Sequence, residues 1–152
     1  MTKQNHISRV WEIIEKARVG MLTTRFAGGL RARPLEARAD RDAGIVWFVT
    51  DARGAKDDEI DAAHDIGLVF YDEDSRAYLS ITGRASVILD TAWLPGGRAG
   101  PNVRLLRVEP ITAELWDGPS SAAGAAFEFV KARLTGEKPN LGENRKVTVP
   151  MR

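Results

Sequence analysis

The chain has 152 residues, 43% of them apolar and 28% charged, with a formal net charge of +1 and no cysteine. This balance fits one globular domain over residues 1–152 with a true hydrophobic core, and near-neutrality gives a nucleic-acid polyanion little to hold. The missing cysteines remove thiol nucleophiles, disulfides and thiolate metal sites together. No apolar run approaches the roughly 20 residues that span a bilayer. The opening residues, Met1 to His6, lack the apolar stretch of a secretion signal. The expected place is therefore the cytoplasm, with no membrane partner.

The predicted elements follow from periodicity. Val10, Trp11, Ile14 and Ala17 form a helical stripe over Ser8 to Ala17, with Asn5 or Ser8 as N-cap. Val19 to Thr24 reads as a strand, Gly28-Gly29 as a turn, and Leu30 to Ala39 as the returning strand. Pro34 cannot donate to a ladder, so an edge or a bulge is expected there. A turn over Asp40 to Gly44 leads into the apolar, β-branched strand Ile45 to Thr50, and a short acidic helix start follows Lys56. Ile66 to Tyr71, the polar turn Asp72 to Ser75, and the long strand Tyr78 to Leu89 come next, with Gly83 marking a bulge. Beyond the Gly/Pro-rich loop Thr91 to Asn102, which carries Trp93, two strands are expected, Val103 to Val108 and Thr112 to Trp116, joined across Glu109-Pro110. Ser120 or Ser121 caps a helix over Ala122 to Leu134, and Lys146 to Val149 is a last strand. Strands at hairpin spacing with three short helices predict an antiparallel barrel, mostly β, with the helices outside.

The chemistry concentrates around residues 31 to 56. A buried strand empties into a loop containing Gly54, and Lys56 stands at a helix opening. Exposed amides, the helix dipole and a cation together suit a phosphate group. Arg31, Arg33 and Arg38 on the preceding strand add to that positive field. Arg33 and Arg38 are an odd number apart, so a regular strand sends them to opposite faces, and only a bulge near Pro34 would realign them. The plainer alternative is surface pairing with Glu36, Asp40 or Asp42. Thr50 offers a hydroxyl and Gly54 a close backbone approach; ordinary turn chemistry explains Gly54 equally well. Trp116 is suited either to cover an aromatic ligand or to fill a core. His6 and His64 lack metal-ligand spacing, no Gly-x-Gly-x-x-Gly follows a strand, and no carboxylate pair stands out as acid and base. The residues alone point to a phosphorylated cofactor.

Gly20-Met-Leu-Thr-Thr24, Arg31-Ala-Arg-Pro-Leu35, Trp47-Phe-Val-Thr-Asp51 with Lys56, and Tyr78-Leu-Ser-Ile-Thr-Gly-Arg-Ala85 resemble the pyridoxamine 5′-phosphate oxidase-like superfamily. Pro101-Asn-Val-Arg-Leu-Leu-Arg-Val108, Trp116-Asp-Gly-Pro-Ser-Ser121 and Leu141-Gly-Glu-Asn-Arg-Lys146 resemble its general stress protein 26 branch. The resemblance implies a split β-barrel that forms a homodimer, with FMN in a cleft between two chains. It implies that Arg33 and Lys56 bind the FMN phosphate, with Arg38 adding charge, and that Gly54 stands where relatives often carry a serine. Pro34 and Leu35, with Phe48, Val49 and Thr50, border the ring and the ribityl chain, Tyr78 lies near the flavin, and Trp116 and Arg145 come from the second chain. The implied activity is that of a flavin-dependent oxidoreductase with a redox or stress role. Alternatives on the same fold are a deazaflavin (F420)-dependent reductase and a non-enzymatic flavin-binding or sensing module. The residues that grip pyridoxal phosphate in true oxidases are not recognisable, so vitamin B6 oxidation is not implied.

Overall fold

Alternation of buried and exposed positions builds more than half of the described residues into antiparallel strands, best seen along Asp65–Asp72, where every second residue is buried. The computed structural model describes residues 2–51, 53, 60–61, 64–88, 102–117, 122–137 and 145–151, with backbone alone at 122–128 and 145–146. Helix α1 (Lys3–Ala17) precedes β1 (Val19–Phe26), β2 (Gly29–Asp40), β3 (Ile45–Asp51), β4 (Asp65–Asp72), β5 (Ala77–Ile88) and β6 (Val103–Asp117). Helix α2 (Ala122–Thr135) and β7 (Arg145–Pro150) complete the order. The strands lie in the order β3-β2-β1-β4-β5-β6-β7, and an additional β3–β6 pairing closes the first six into a barrel. Closure removes most of the exposed edges that an open sheet would leave.

The expected fold class and nearly all expected strands are present. Helix α1 starts earlier than its apolar stripe: Thr2, not Asn5 or Ser8, is the N-cap, its hydroxyl accepting from the Asn5 amide at 3.3 Å. The polar first turn, Lys3 to His6, adds nothing to the stripe, so periodicity alone did not mark it. Ile60 and Asp61 are helical. The rest of the helix expected after Lys56, the caps Ser120 and Ser121, and Trp93 with its loop up to Pro101 lie outside the described residues.

The two strands expected on either side of Glu109-Pro110 are one strand, β6. Its one edge pairs with β5 along nearly its whole length, while its other edge pairs first with β3 (Val103 to Val108) and then with β7 (Thr112 to Asp117). Continuous pairing with β5 carries the strand through the proline. The ladder shifts register between Thr82 and Gly83, so Ile111 is an extra residue on β6; its carbonyl accepts from the Met151 amide at 3.0 Å. Gly83 is required there, because a Cβ at this position would sit 2.7 Å from the Glu109 carbonyl oxygen.

The core gathers Leu22, Phe48, Leu68, Phe70, Leu79, Ile81, Leu106 and Leu115 inside the barrel, together with Val10, Trp11, Ile13 and Ile14 from α1. Polar anchors set α1 in place. Arg41 in the β2–β3 turn donates to the Ser8 hydroxyl at 2.8 Å, and Arg9 reaches Ser75 in the β4–β5 turn and Asp117 at the end of β6. Buried Asp72 closes the network by accepting from the Ser75 hydroxyl and from the Asp74 amide. The Ser75 hydroxyl, followed by the positive charge of Lys16, holds the Asp72 carboxyl below its ordinary value against the opposing effect of burial.

Two measurements test this architecture. Gly83→Ala should lower unfolding free energy by about 1–3 kcal/mol in urea titrations, the cost of overpacking against backbone. A carboxyl with a depressed folded pKa contributes stability that is present above its unfolded pKa and lost as pH falls through the folded one. The urea midpoint of the parent should therefore fall on acidification below the ordinary carboxylate range. In Asp72→Asn it should start lower at neutral pH and fall less.

Candidate functional site

β2 and β3 begin as a hairpin over the Arg41–Gly44 turn, where Gly44 has a φ of 70°. Their ladder runs from Asp40 opposite Ile45 to Ala37 opposite Phe48 and stops there. Beyond it, β2 pairs with β1 alone, and Val49 to Asp51 of β3 pair with β6 alone, among the described residues. The strands thus part before β3 ends at Asp51, and the gap between their edges, unpaired there among the described residues, is the candidate cleft.

The inward-facing positions of the two parting strands supply its polar groups. On β2, alternation puts Arg33 and Leu35 on the same face as Ala37 and Ala39, half-buried, with Leu35, Ala37 and Ala39 packed against the core. Arg33 is held on that face by β1: its Nη1 donates to the Thr24 hydroxyl at 3.4 Å. On β3, Thr50 follows Val46 and Phe48 on the inward face and is only 7% exposed. Its hydroxyl oxygen is buried and has no hydrogen-bond partner among the described residues. A buried, unmet hydroxyl costs about 1–3 kcal/mol, so it marks a place where a further polar group fits.

The expected residues fall into two sets. Arg33, Leu35 and Thr50 share the inward face at the parting. Pro34, Arg38 and Val49 are exposed on the opposite face. The bulge that would have realigned Arg38 with Arg33 does not form: the β1–β2 register is continuous from Val19–Glu36 to Phe26–Gly29, and Pro34 sits in it opposite Met21. The proline is tolerated because that stretch of β2 has one described neighbour only, so the edge expectation holds and the bulge expectation fails. Arg38 lies instead in a row with Trp47 and Arg107. Phe48 is fully buried in the core, so its side chain borders no cleft. Gly54 and Lys56 lie outside the described residues.

Tyr78 and Trp116 belong to a second feature, the outer face of β5 and β6. They are directly opposite in register, and Tyr71 stacks on Tyr78 with ring centroids 4.6 Å apart. Tyr78 is 52% exposed and Trp116 half-buried, so Trp116 is not a core residue. Exposed Val19, Met21 and Val69 continue this apolar face across β1 and β4. Arg145 opens β7 opposite Asp117, one step from Trp116. Sequence reading missed Thr24, Tyr71 and the Arg9–Asp117 pair. Only Tyr71 left a signal, since the tight Asp72–Ser75 turn sets Tyr71 and Tyr78 opposite each other. Among the described residues no cluster of His, Asp and Glu is arranged to hold a metal ion, and no helix is long and apolar enough to cross a membrane.

Residues 5–140 match the family described as pyridoxamine 5′-phosphate oxidase like. The chain is 27% identical to a structure described as a general stress protein 26 from Jannaschia sp. CCS1, with 98% of this chain and 99% of that one covered and a TM-score of 0.75. It is 23% identical to Protein bli-3 of Neurospora crassa, over 84% of this chain and 72% of that protein. It shares its fold with a pyridoxamine 5′-phosphate oxidase-related, FMN binding protein of Nostoc punctiforme PCC 73102, at 19% identity, a TM-score of 0.60, and 75% and 82% coverage of the two chains.

Thr50→Val keeps the shape of the side chain and removes the unmet hydroxyl. It should raise the unfolding free energy of the ligand-free protein by about 1 kcal/mol in urea titrations, whereas Val is ordinarily a neutral or costly exchange for a satisfied threonine.

Proposed function

The chain belongs to the pyridoxamine 5′-phosphate oxidase-like family, and on that premise we propose that its cleft binds FMN, between two copies of the chain, for a flavin-dependent oxidoreductase role in the cytoplasm. The observation that carries the reading is the buried Thr50 hydroxyl, without a partner among the described residues, beside the parting of β2 and β3. A phosphate oxygen is the acceptor that such a hydroxyl lacks, and Arg33 on the same face brings the opposing charge. Thr24 orients that guanidinium. The sequence pattern of strand, glycine and cation assigns Lys56 and the amides around Gly54 to the same phosphate.

The second copy follows from the outer face. Val19, Met21, Val69, Tyr71 and Tyr78 are each about half exposed and adjacent across three strands, which leaves a contiguous apolar surface that a monomer would hold in water. A second chain packed there excludes water and brings Tyr78 and Trp116 against a flavin plane. Bound FMN supplies the redox chemistry, and the protein sets its orientation, charge and solvent access. No acid–base pair lines the described part of the cleft, which fits chemistry carried by the cofactor.

Titration of the purified protein with FMN should give saturable binding and quenched flavin fluorescence, and sedimentation should give twice the chain mass. Arg33→Ala should weaken FMN binding about 10- to 100-fold, the loss of a charge-assisted phosphate contact. Thr50→Val should also weaken it, while stabilising the free protein. A colourless monomer indifferent to FMN would overturn the proposal, and a copurifying chromophore with a deazaflavin spectrum would replace FMN by F420.

A further inference from the structure

We propose that Arg9, on α1 and distant in sequence from every residue assigned to the cleft, is a positioning residue for the aromatic wall made by Tyr78 and Trp116. The inference rests on the FMN reading above and names a residue that reading does not use.

Arg9 ties together the two ends of that wall. Its Nη2 donates to the Ser75 hydroxyl at 2.8 Å and to Asp117 Oδ1 at 3.0 Å, and its Nε lies 3.3 Å from both Asp117 oxygens. Nη1 meets Glu12 Oε2 at 3.3 Å on its own helix. The Arg9 side chain is 18% exposed, so these bonds form partly out of water, where the fork geometry of a guanidinium is most effective. Asp117, chiefly by its hydrogen bond, holds the Arg9 charge more firmly than usual.

The positions of the two acceptors give the clamp its consequence. Ser75 lies in the turn three residues before Tyr78. Asp117 directly follows Trp116 and is the last residue of β6. Tyr78 and Trp116 face each other across the β5–β6 ladder at its terminal end. Strand ends fray, and side chains on a frayed end lose their orientation. One guanidinium bonded to the turn before the tyrosine and to the carboxylate after the tryptophan closes that end. Ser75 is held in turn by Asp72, so the turn cannot swing away from Arg9 without breaking a second buried bond. The Asp117–Arg145 register pair places the start of β7 beside the same clamp. In the proposed dimer the tryptophan presented to one flavin is thus fixed by the first helix of the chain that carries it.

The test compares Arg9→Met and Arg9→Lys with the parent, alone and combined with Trp116→Phe. In Arg9→Met, with its far-UV circular dichroism unchanged, fluorescence of FMN at saturation should recover toward that of free FMN, and binding should weaken about tenfold. Arg9→Lys keeps the charge but cannot span both acceptors, and should fall between. In the Trp116→Phe background Arg9→Met should change flavin fluorescence no further, which a general loss of stability would not reproduce. If Arg9→Met does not fold, Asp117→Asn and Ser75→Ala, each removing one acceptor, take its place in the same comparison. Bound-flavin fluorescence equal to the parent's, or changed by the same factor with and without Trp116, would overturn the proposal. If the parent itself takes up no FMN, the function proposed above falls, and amide hydrogen exchange at Leu115 and Trp116 in the free protein decides on the clamp. Faster exchange in Arg9→Met supports it and unchanged exchange overturns it.

Discussion

Strand β6 is longer than either neighbour on its second edge, and most of the architecture depends on how that mismatch is resolved. Of the fifteen residues from Val103 to Asp117, Leu105 to Trp116 run along β5 on one side with Ile111 bulged out, but the other side is shared, first by β3 and then by β7. The change of partner falls at Glu109 to Ile111, where Pro110 offers no amide and Ile111 is the extra residue of a bulge. Gly83 on β5 makes the bulge possible by leaving room for the Glu109 carbonyl. Because β3 is held by β6 over its whole length, it is free to leave β2 halfway. Barrel closure on one side of β3 and parting on the other are two results of one pairing choice.

The parting is where folding and binding pull in opposite directions. An uninterrupted β2–β3 ladder would bring the Leu35 and Thr50 positions together and leave no space between the strands. Instead the ladder ends at Ala37 and Phe48, and a buried hydroxyl goes unmet among the described residues. Such local costs collect where a protein must receive a ligand, and removing them commonly gains stability at the expense of function. Thr24 shows the reverse: a buried threonine whose hydroxyl is used within the chain, to hold Arg33 in place.

The outer surface of the sheet carries a second division of labour. Its inward faces are filled by the core, and several apolar outward positions are exposed, among them Val19, Met21, Val69, Tyr71 and Tyr78. Across β1, β4, β5 and β6 those positions are apolar or aromatic toward the α1 end, and Arg9 bonds the turn and strand end that frame them. The first helix thus contributes packing through Val10, Trp11, Ile13 and Ile14, and order at the aromatic wall through one charged side chain. Within the pyridoxamine 5′-phosphate oxidase-like family, this chain combines the parting of β2 and β3 on one part of the barrel with an exposed apolar face on another.

Alternation of apolar residues and the placement of glycine, proline and short polar turns determined six of the strands, the barrel class and the bulge at Gly83, because burial on one face of a strand is a local, period-two property. The same local rule said that Arg33 and Arg38 face apart on a regular strand, and the structure keeps that strand regular. Local pattern could not show that β6 is one strand, since its continuity comes from pairing with β5, a partner distant in sequence. Nor could it show where β2 and β3 separate, that the Thr50 hydroxyl is buried with no partner among the described residues, or that Arg9 meets Asp117 from 108 residues away. Those features depend on which surfaces meet once the chain closes on itself, and a contact between distant segments leaves no periodic trace in either of them.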